Sequence, residues 1–539
     1  MDLIIFNGKV LTMQAGSPRA QAVAIKGGRI MAVGRQEDIL ALGNQRTRLI
    51  DAGGKSVLPG FNDSHLHLYG YAQNKGGIDL GGLLGIAALQ DRLRAHIKAQ
   101  KPAPGAWITG RGWDQTDFKE GRMPTRHDLD PVSEGHPLVL KRKCGHVSVL
   151  NTQALKEAGI FEHPPQVPGG MIELGEDGRP TGILKENAMD LAQGQAGGPG
   201  ARGSKALIAQ AAADFVAAGL TSVQTDDLGA FGREPEALFS AYQEMAAAGQ
   251  LPLRVNAQLL ITDKEALRDL ITRGCTTGFG DEWFKVGPLK ILADGSFGGR
   301  SAWLRAPYAD EPGTRGILLH TKEELRQLIR IAHEGGMQIA AHAIGDGAMD
   351  LVLALFEEAQ RARPLKDPRF RIVHASLAAP DLLDRMRALG AAADVQPAFI
   401  PSDLPFINSR LGSKRAAWAY PFKDFLDRGI PLAGGSDCPV EDYRPLSGIH
   451  HAVCRQDHDG RPPEGWLPEQ KLTLHEALHL YTLGAAYNAF EENLKGSLVP
   501  GKLADLVLLS GDIEATPKEA IKELTVEQTI VGGQTVYAS

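Results

Sequence analysis

The spacing of apolar and polar positions divides the chain into a middle and two matching ends. Over residues 1–60, short apolar runs alternate with turns: Leu3-Ile4-Ile5-Phe6, Lys9-Val10-Leu11-Thr12-Met13, Ala22-Val23-Ala24-Ile25 and Arg29–Gly34, separated by Asn7-Gly8 and Gly27-Gly28. Runs of this length read as strands, and Asn-Gly reads as a hairpin turn. A small antiparallel sheet is expected, too thin to hold a core without a second layer. The far end repeats the pattern, with a strand at Gly501–Leu509 and a hairpin over Thr529–Tyr537 around Gly532-Gly533. A β-sandwich domain built from both termini, 1–60 plus 486–539, is therefore expected to bracket the middle.

From 61 to 485 the period changes. Short apolar strands alternate with amphipathic helices such as Lys322–Glu334, Met349–Arg361 and Asp381–Leu389, the sign of parallel βα units. The opening strand ends in His65-Leu66-His67. It is followed by candidates at Leu220–Asp226, Leu253–Leu260, Phe284–Asp294, Gln338–His342, Phe370–His374, Ala392–Pro397 and Ile430–Asp437. Eight such units predict an α/β fold of the TIM (β/α)8 barrel type. The interval between His67 and Leu220, about 150 residues, is too long for a loop. It predicts an inserted subdomain at 75–200 over the C-terminal face of the barrel, with the glycine-rich stretch Gly194–Gly203 marking the return.

Composition changes this picture little. With 539 residues, 43% of them hydrophobic and 23% charged, a large core is available and global disorder is excluded. A net charge of -6 without basic runs gives no support for nucleic-acid binding. Four scattered cysteines make neither a disulfide framework nor a zinc knuckle. No apolar run approaches a membrane span, and Met1–Val10 does not read as a signal peptide. The expected setting is cytoplasmic, with a small-molecule substrate, no nucleic acid, no membrane and a possible homodimer.

The chemistry collects at strand ends, which in this fold converge on one site. His65 and His67 stand two apart, so in a strand both imidazoles face one point. The fourth strand carries Lys290, the fifth His342, the sixth His374 and the eighth Asp437. Four imidazoles and a carboxylate suit zinc or another divalent first-row metal.

This constellation, with Leu58-Pro59-Gly60-Phe61-x-Asp63-x-His65-x-His67 before it, resembles the amidohydrolase superfamily of metal-dependent hydrolases over nearly the whole chain. Gly112-Trp113-Asp114, Gly145-His146 with Asn151, Gly182–Glu186, and Asp294-Gly295-Ser296 with Arg300 and Tyr308 resemble its amidohydrolase-3 branch, the YtcJ-like proteins and N-substituted formamide deformylases. The resemblance implies that His65, His67 and Asp437 hold the more buried metal, and that His342 and His374 hold a second. It places Lys290 where many relatives carry a carboxylated lysine bridging two metals; the alternative is a lysine ion-paired with Asp294 or another acid. Zinc, as one or two ions, is the implied cofactor. His146, Trp113, Asp114 and Arg300 are candidate substrate contacts.

The expected activity is hydrolysis of a non-peptide C–N bond, in an amide or an N-substituted formamide. Asp437 would take a proton from the attacking water and return it to the leaving amine. The alternatives are hydrolytic deamination of a cyclic amidine, and a catalytically silent barrel that only binds.

Overall fold

The structure is a computed structural model that describes residues 1–193, 201–230 and 235–539. Of the glycine-rich return stretch, residues 194–200 therefore lie outside the described residues. Eight parallel strands form the central sheet: β1 Phe61–Leu66, β2 Leu220–Asp226, β3 Arg254–Leu260, β4 Phe284–Leu292, β5 Ile339–Ala343, β6 Arg371–His374, β7 Ala392–Val395 and β8 Leu432–Gly434. They pair in chain order, β1 through β8. Nearly every residue in them is buried, as expected for a parallel sheet covered by helices. Each helix has local causes. Thr321 and Glu324 form a reciprocal capping box that starts Lys322–Glu334. Pro380 opens Pro380–Leu389, and Gly390 closes it in the left-handed region.

The ladder stops between β1 and β8, and the ends of these two strands close the barrel with other bonds. The Asp437 N–H donates to His65 O (2.8 Å), and the His67 N–H donates to Cys438 O (2.7 Å). The buried Asp63 carboxylate adds bonds from the backbone N–H of His65 (3.0 Å) and of Ser436 (3.1 and 3.0 Å). Gly435 is required here, because a Cβ would lie 2.8 Å from the His65 nitrogen. Lower in the barrel, the fully buried Arg371–Asp394 pair (2.7 Å) reaches Ser64 O (3.0 Å) and ties β6 and β7 to β1.

The two chain ends interleave in one six-stranded sheet. Leu506–Leu509 lies antiparallel to Ser56–Pro59, and Val526–Val531 and Gln534–Ala538 form the expected hairpin beyond it. Asn7-Gly8 is not a hairpin. Leu3–Phe6 belongs to a separate four-stranded sheet, where it runs parallel to Arg48–Asp51, while Lys9–Leu11 pairs in the six-stranded sheet. The turn carries the chain from one layer to the other, which serves the two-layer core better than a local hairpin would. Arg254 at the start of β3 grips Asp505 (2.7 and 3.0 Å) and joins the barrel to this β layer.

A third sheet occupies residues 78–186, with six strands and the helix Ile86–Gln100 around a core of its own. The ends of its strands Leu138–Arg142 and Pro180–Glu186 meet the loops that follow β4 and β7 at the C-terminal face.

Candidate metal centre

His65 lies in β1 and His67 just past it, while Asp437 sits in the loop after β8. The seam bonds bring the three together. Asp437 Oδ1 is 3.2 Å from His65 Nε2 and 3.0 Å from His67 Nε2. One ligand atom from each of the three side chains falls within 4.8 Å of the others, a donor set that fits a divalent cation. Asp437 is held at φ 57°, in the left-handed region that a non-glycine residue enters at a cost of about 1–3 kcal/mol. His374 shares this strain, at φ 74°.

The charge pattern supports a cation. Burial opposes ionisation of Asp437, but hydrogen bonds from His65 and His67 outweigh it and hold the carboxyl well below its ordinary range. Burial likewise lowers His67, yet the carboxylates of Asp226 and Asp437 prevail and raise it to about 9. His65 is lowered by burial and by the neighbouring Lys290 ammonium. Burial and the adjacent His342 push His374 well below its ordinary value, so its imidazole is neutral.

Lys290 is almost fully buried. Its Nζ is 2.9 Å from Asp226 Oδ2 and 3.2 Å from His65 Nε2. Asp226, at the end of β2, also contacts His67 Nδ1. Asp226 is thus a residue of the centre that the sequence did not single out. Of the two partners considered for an unmodified lysine, "another acid" is the one present, and Asp294 instead accepts from the backbone N–H of Trp303 (2.8 Å), Ile344 (3.0 Å) and Gly345 (2.8 Å).

The rings of His342 and His374 are 4.4 Å apart, and His374 is 5.4 Å from His65, so these three imidazoles are neighbours. The later two histidines are otherwise engaged. His342 Nε2 is 3.1 Å from Gly295 O, and because a carbonyl can only accept, that nitrogen carries the proton. His374 Nδ1 is 2.7 Å from Gln396 Oε1.

A cavity of about 50 Å³ opens beside Asp437 and His342, with Phe297, Phe399 and Phe406 in its wall. The inserted sheet supplies His146, Asp114, Arg142 and Lys143. His146 and Asp114 thus line the cavity. Asp114 also binds Arg142 (2.6 Å). Trp113 is not a cavity residue. It is fully buried in the insert's core, and its indole N–H donates to Leu140 O (2.9 Å). Arg300 is not among the cavity residues either, because Asp310 (3.0 Å) and Glu311 (3.1 Å) hold its guanidinium. Arg142 and Glu186 were missed as individual residues. Glu186 is 2.7 Å from His146 Nδ1, and against the opposing effect of burial its carboxylate raises His146 to about 9.

Comparison with known proteins gives a consistent result. A model of the Amidohydrolase family matches residues 48–537. The Bacillus subtilis (strain 168) protein named as amidohydrolase YtcJ is 34% identical over 100% of this chain and 99% of its own length. N-substituted formamide deformylase of Arthrobacter pascens is 29% identical over 99% of this chain and 98% of its own. Among solved structures, an uncharacterized metal-dependent hydrolase from Pyrococcus horikoshii OT3 aligns with a TM-score of 0.73 at 30% identity, covering 93% of this chain and 96% of that one.

Proposed function

The chain belongs to the amidohydrolase family, and on that premise we propose that it hydrolyses a non-peptide C–N bond with a divalent metal, zinc first, held by His65, His67 and Asp437. The observation that carries the proposal is the convergence of two imidazoles and one carboxylate at the barrel seam. A metal bound there lowers the pKa of water toward neutrality and polarises a carbonyl oxygen. Asp437 takes the proton of the attacking water and returns it to the leaving nitrogen, so that an amide yields a carboxylic acid and an amine. His146 and Asp114 contact the substrate from the insert. The division into a terminal β domain (1–60 plus 486–539), a barrel (61–485) and an insert (75–200) belongs to the same proposal.

The likeness to an N-substituted formamide deformylase favours an N-substituted formamide as the amide. A single metal is the first reading, because a carbamate on Lys290 would set two anions, its own and Asp226, side by side. The second reading, two metals with carboxylated Lys290, is favoured by the approach of His342 and His374 to His65. Native mass spectrometry separates them, since only the second adds the mass of CO2.

The test of function is a panel of N-formyl, N-acetyl and N-benzoyl amines together with cyclic amidines, before and after chelation and zinc restoration. Metal-dependent release of amine, fastest from the N-formyl compounds, is expected. Release that chelation leaves untouched, or ammonia from the amidines alone, contradicts the proposal.

A further inference from the structure

Three guanidinium and ammonium groups of the insert stand at the cavity or behind its wall, and one of them has no acid of its own. Arg142 is bound by Asp114 (2.6 Å) and Gln115 (2.7 Å), and Lys143 by Glu441 (2.8 Å) and Ser402 (2.7 Å). Arg111, in the strand Ile108–Trp113, is 9% exposed and makes no ion pair among the described residues. Its side chain forms one hydrogen bond, from Nη2 to Lys143 O (3.0 Å), and its Nε is enclosed without a partner. A guanidinium has five N–H donors and keeps its charge throughout the range in which proteins fold. Among the described residues, one of the five is used.

The surrounding charges do not compensate it. In the sheet, Arg111 is flanked by Asp79 on one side and Lys141 on the other. Asp79 is exposed and turns its carboxylate to the backbone N–H of Gly81 (2.9 Å), while Lys141 brings a second positive charge. Asp437 is the acid whose field acts on Arg111 most strongly, and its Oδ1 is engaged by His65 (3.2 Å) and His67 (3.0 Å). A buried cation without a partner is costly, so its retention points to a counter-ion from outside the chain. The guanidinium lies against the turn that holds Lys143 and Cys144, both of which line the cavity. The next residue, Gly145, has no side chain to cover it, since a Cβ there would lie 3.6 Å from Nη2.

We propose that Arg111 anchors an anion subsite beside the metal centre, and that the subsite takes a carboxylate borne on the nitrogen substituent of the substrate. This rests on the hydrolase reading above and narrows its substrate class to N-acyl amino acids, N-formyl ones first. Nη1 and the second N–H of Nη2 offer two parallel donors that match the two oxygens of a carboxylate, a pairing stronger and more directional than a neutral hydrogen bond. The acyl carbon has to lie on the Asp437 side of the cavity, whereas Arg111 is carried by the insert. The carboxylate therefore belongs to the half of the substrate that leaves as the amine. No covalent bond forms or breaks at Arg111, which acts as a binding residue.

Racemic N-methanesulfonyl-leucine and N-methanesulfonyl-isoamylamine are sulfonamides that differ only in the carboxylate and offer no acyl carbon to hydrolyse. In calorimetric titration of the zinc-loaded protein, wild type is expected to bind the carboxylate compound at least about tenfold more tightly, the size of a hydrogen bond to a charged group. Arg111→Met should bring the ratio of the two affinities close to one. Arg111→Lys, which keeps the charge without the fork, should retain part of it. The ratio distinguishes this role from a structural one, because a loosened insert weakens both compounds and leaves the ratio standing. The proposal is overturned if wild type shows no preference for the carboxylate, or if Arg111→Met keeps the wild-type ratio. Hydrolysis of the matching N-formyl compounds separates the two readings. An Arg111-dependent preference without release of amine from either compound contradicts the functional reading and leaves the subsite standing. Release from both with equal kcat/KM, and equal affinity for the two sulfonamides, overturns the subsite and leaves the functional reading standing.

Discussion

Asp63 bonds the backbone of His65 and the side chain of none of the three proposed ligands, yet removing it should weaken metal binding. Asp63→Ala takes the acceptor from two buried backbone N–H groups, those of His65 and Ser436, which now make three bonds of 3.0–3.1 Å. Leaving each N–H unpaired costs about 1–3 kcal/mol, together about 2–6 kcal/mol. Part of that is recovered, because burial pushes the Asp63 carboxyl up to about 7 and its charged form is therefore disfavoured. The loss falls on the seam that holds Asp437 in its left-handed conformation beside His65. Partners that orient metal ligands in this way typically contribute about 10–100-fold in affinity. Competitive titration of zinc against a chromophoric chelator should show that drop in Asp63→Ala and a smaller one in Asp63→Asn, which keeps one acceptor oxygen. Circular dichroism should confirm that both are folded. A folded Asp63→Ala variant that binds zinc within twofold of wild type would refute the argument that the seam positions the ligands.

Two further predictions concern the frame. Asp505→Ala leaves Arg254 buried without its counter-ion and should destabilise by about 3–5 kcal/mol, read as a lower urea midpoint. Replacing both partners with Arg254→Met and Asp505→Leu should recover part of this, and a double variant no better than the single would contradict it. His451 is lowered to about 3, chiefly by burial and then by His450 and His458. Its depressed value means that the neutral ring contributes stability above the unfolded value of about 6.5, and that this is lost as pH falls toward 3. Between pH 6.5 and 5 the loss is about 2 kcal/mol, at about 1.4 kcal/mol per unit. His451→Gln should therefore show a flatter fall in melting temperature over that range, and parallel curves for the two proteins would contradict the assignment.

The barrel was legible because its strands are short, apolar and separated by long amphipathic helices, a pattern that survives whatever the loops do. Its histidines and Asp437 were legible for the same reason, since a polar residue at the end of an apolar run stands out. Asp226 did not stand out. It is followed by Asp227, and nothing in Thr225-Asp226-Asp227 tells which acid turns toward Lys290 and which accepts from the backbone of Tyr69 (2.9 Å) and the hydroxyl of Thr225 (2.6 Å). Glu186 was visible only as part of a motif, because its partner His146 stands 40 residues earlier, just before the strand Val147–Leu150. For Trp113 and Arg300 the sequence leaves packing or a salt bridge open beside substrate contact, because their partners Leu140, Asp310 and Glu311 are supplied by tertiary packing. Asn7-Gly8 carried a sound local signal for a hairpin that the pairing of Leu3–Phe6 with Arg48–Asp51 overrode.

The central claim is that His65, His67 and Asp437 hold the metal on which hydrolysis depends. Its most direct test is the zinc content per chain after reconstitution and gel filtration, measured for wild type, His67→Ala and Asp437→Ala. Stoichiometric zinc is expected in wild type and loss of the tightly held ion in both variants, with hydrolysis lost alongside it. Stoichiometric, tightly held zinc in both variants would contradict it.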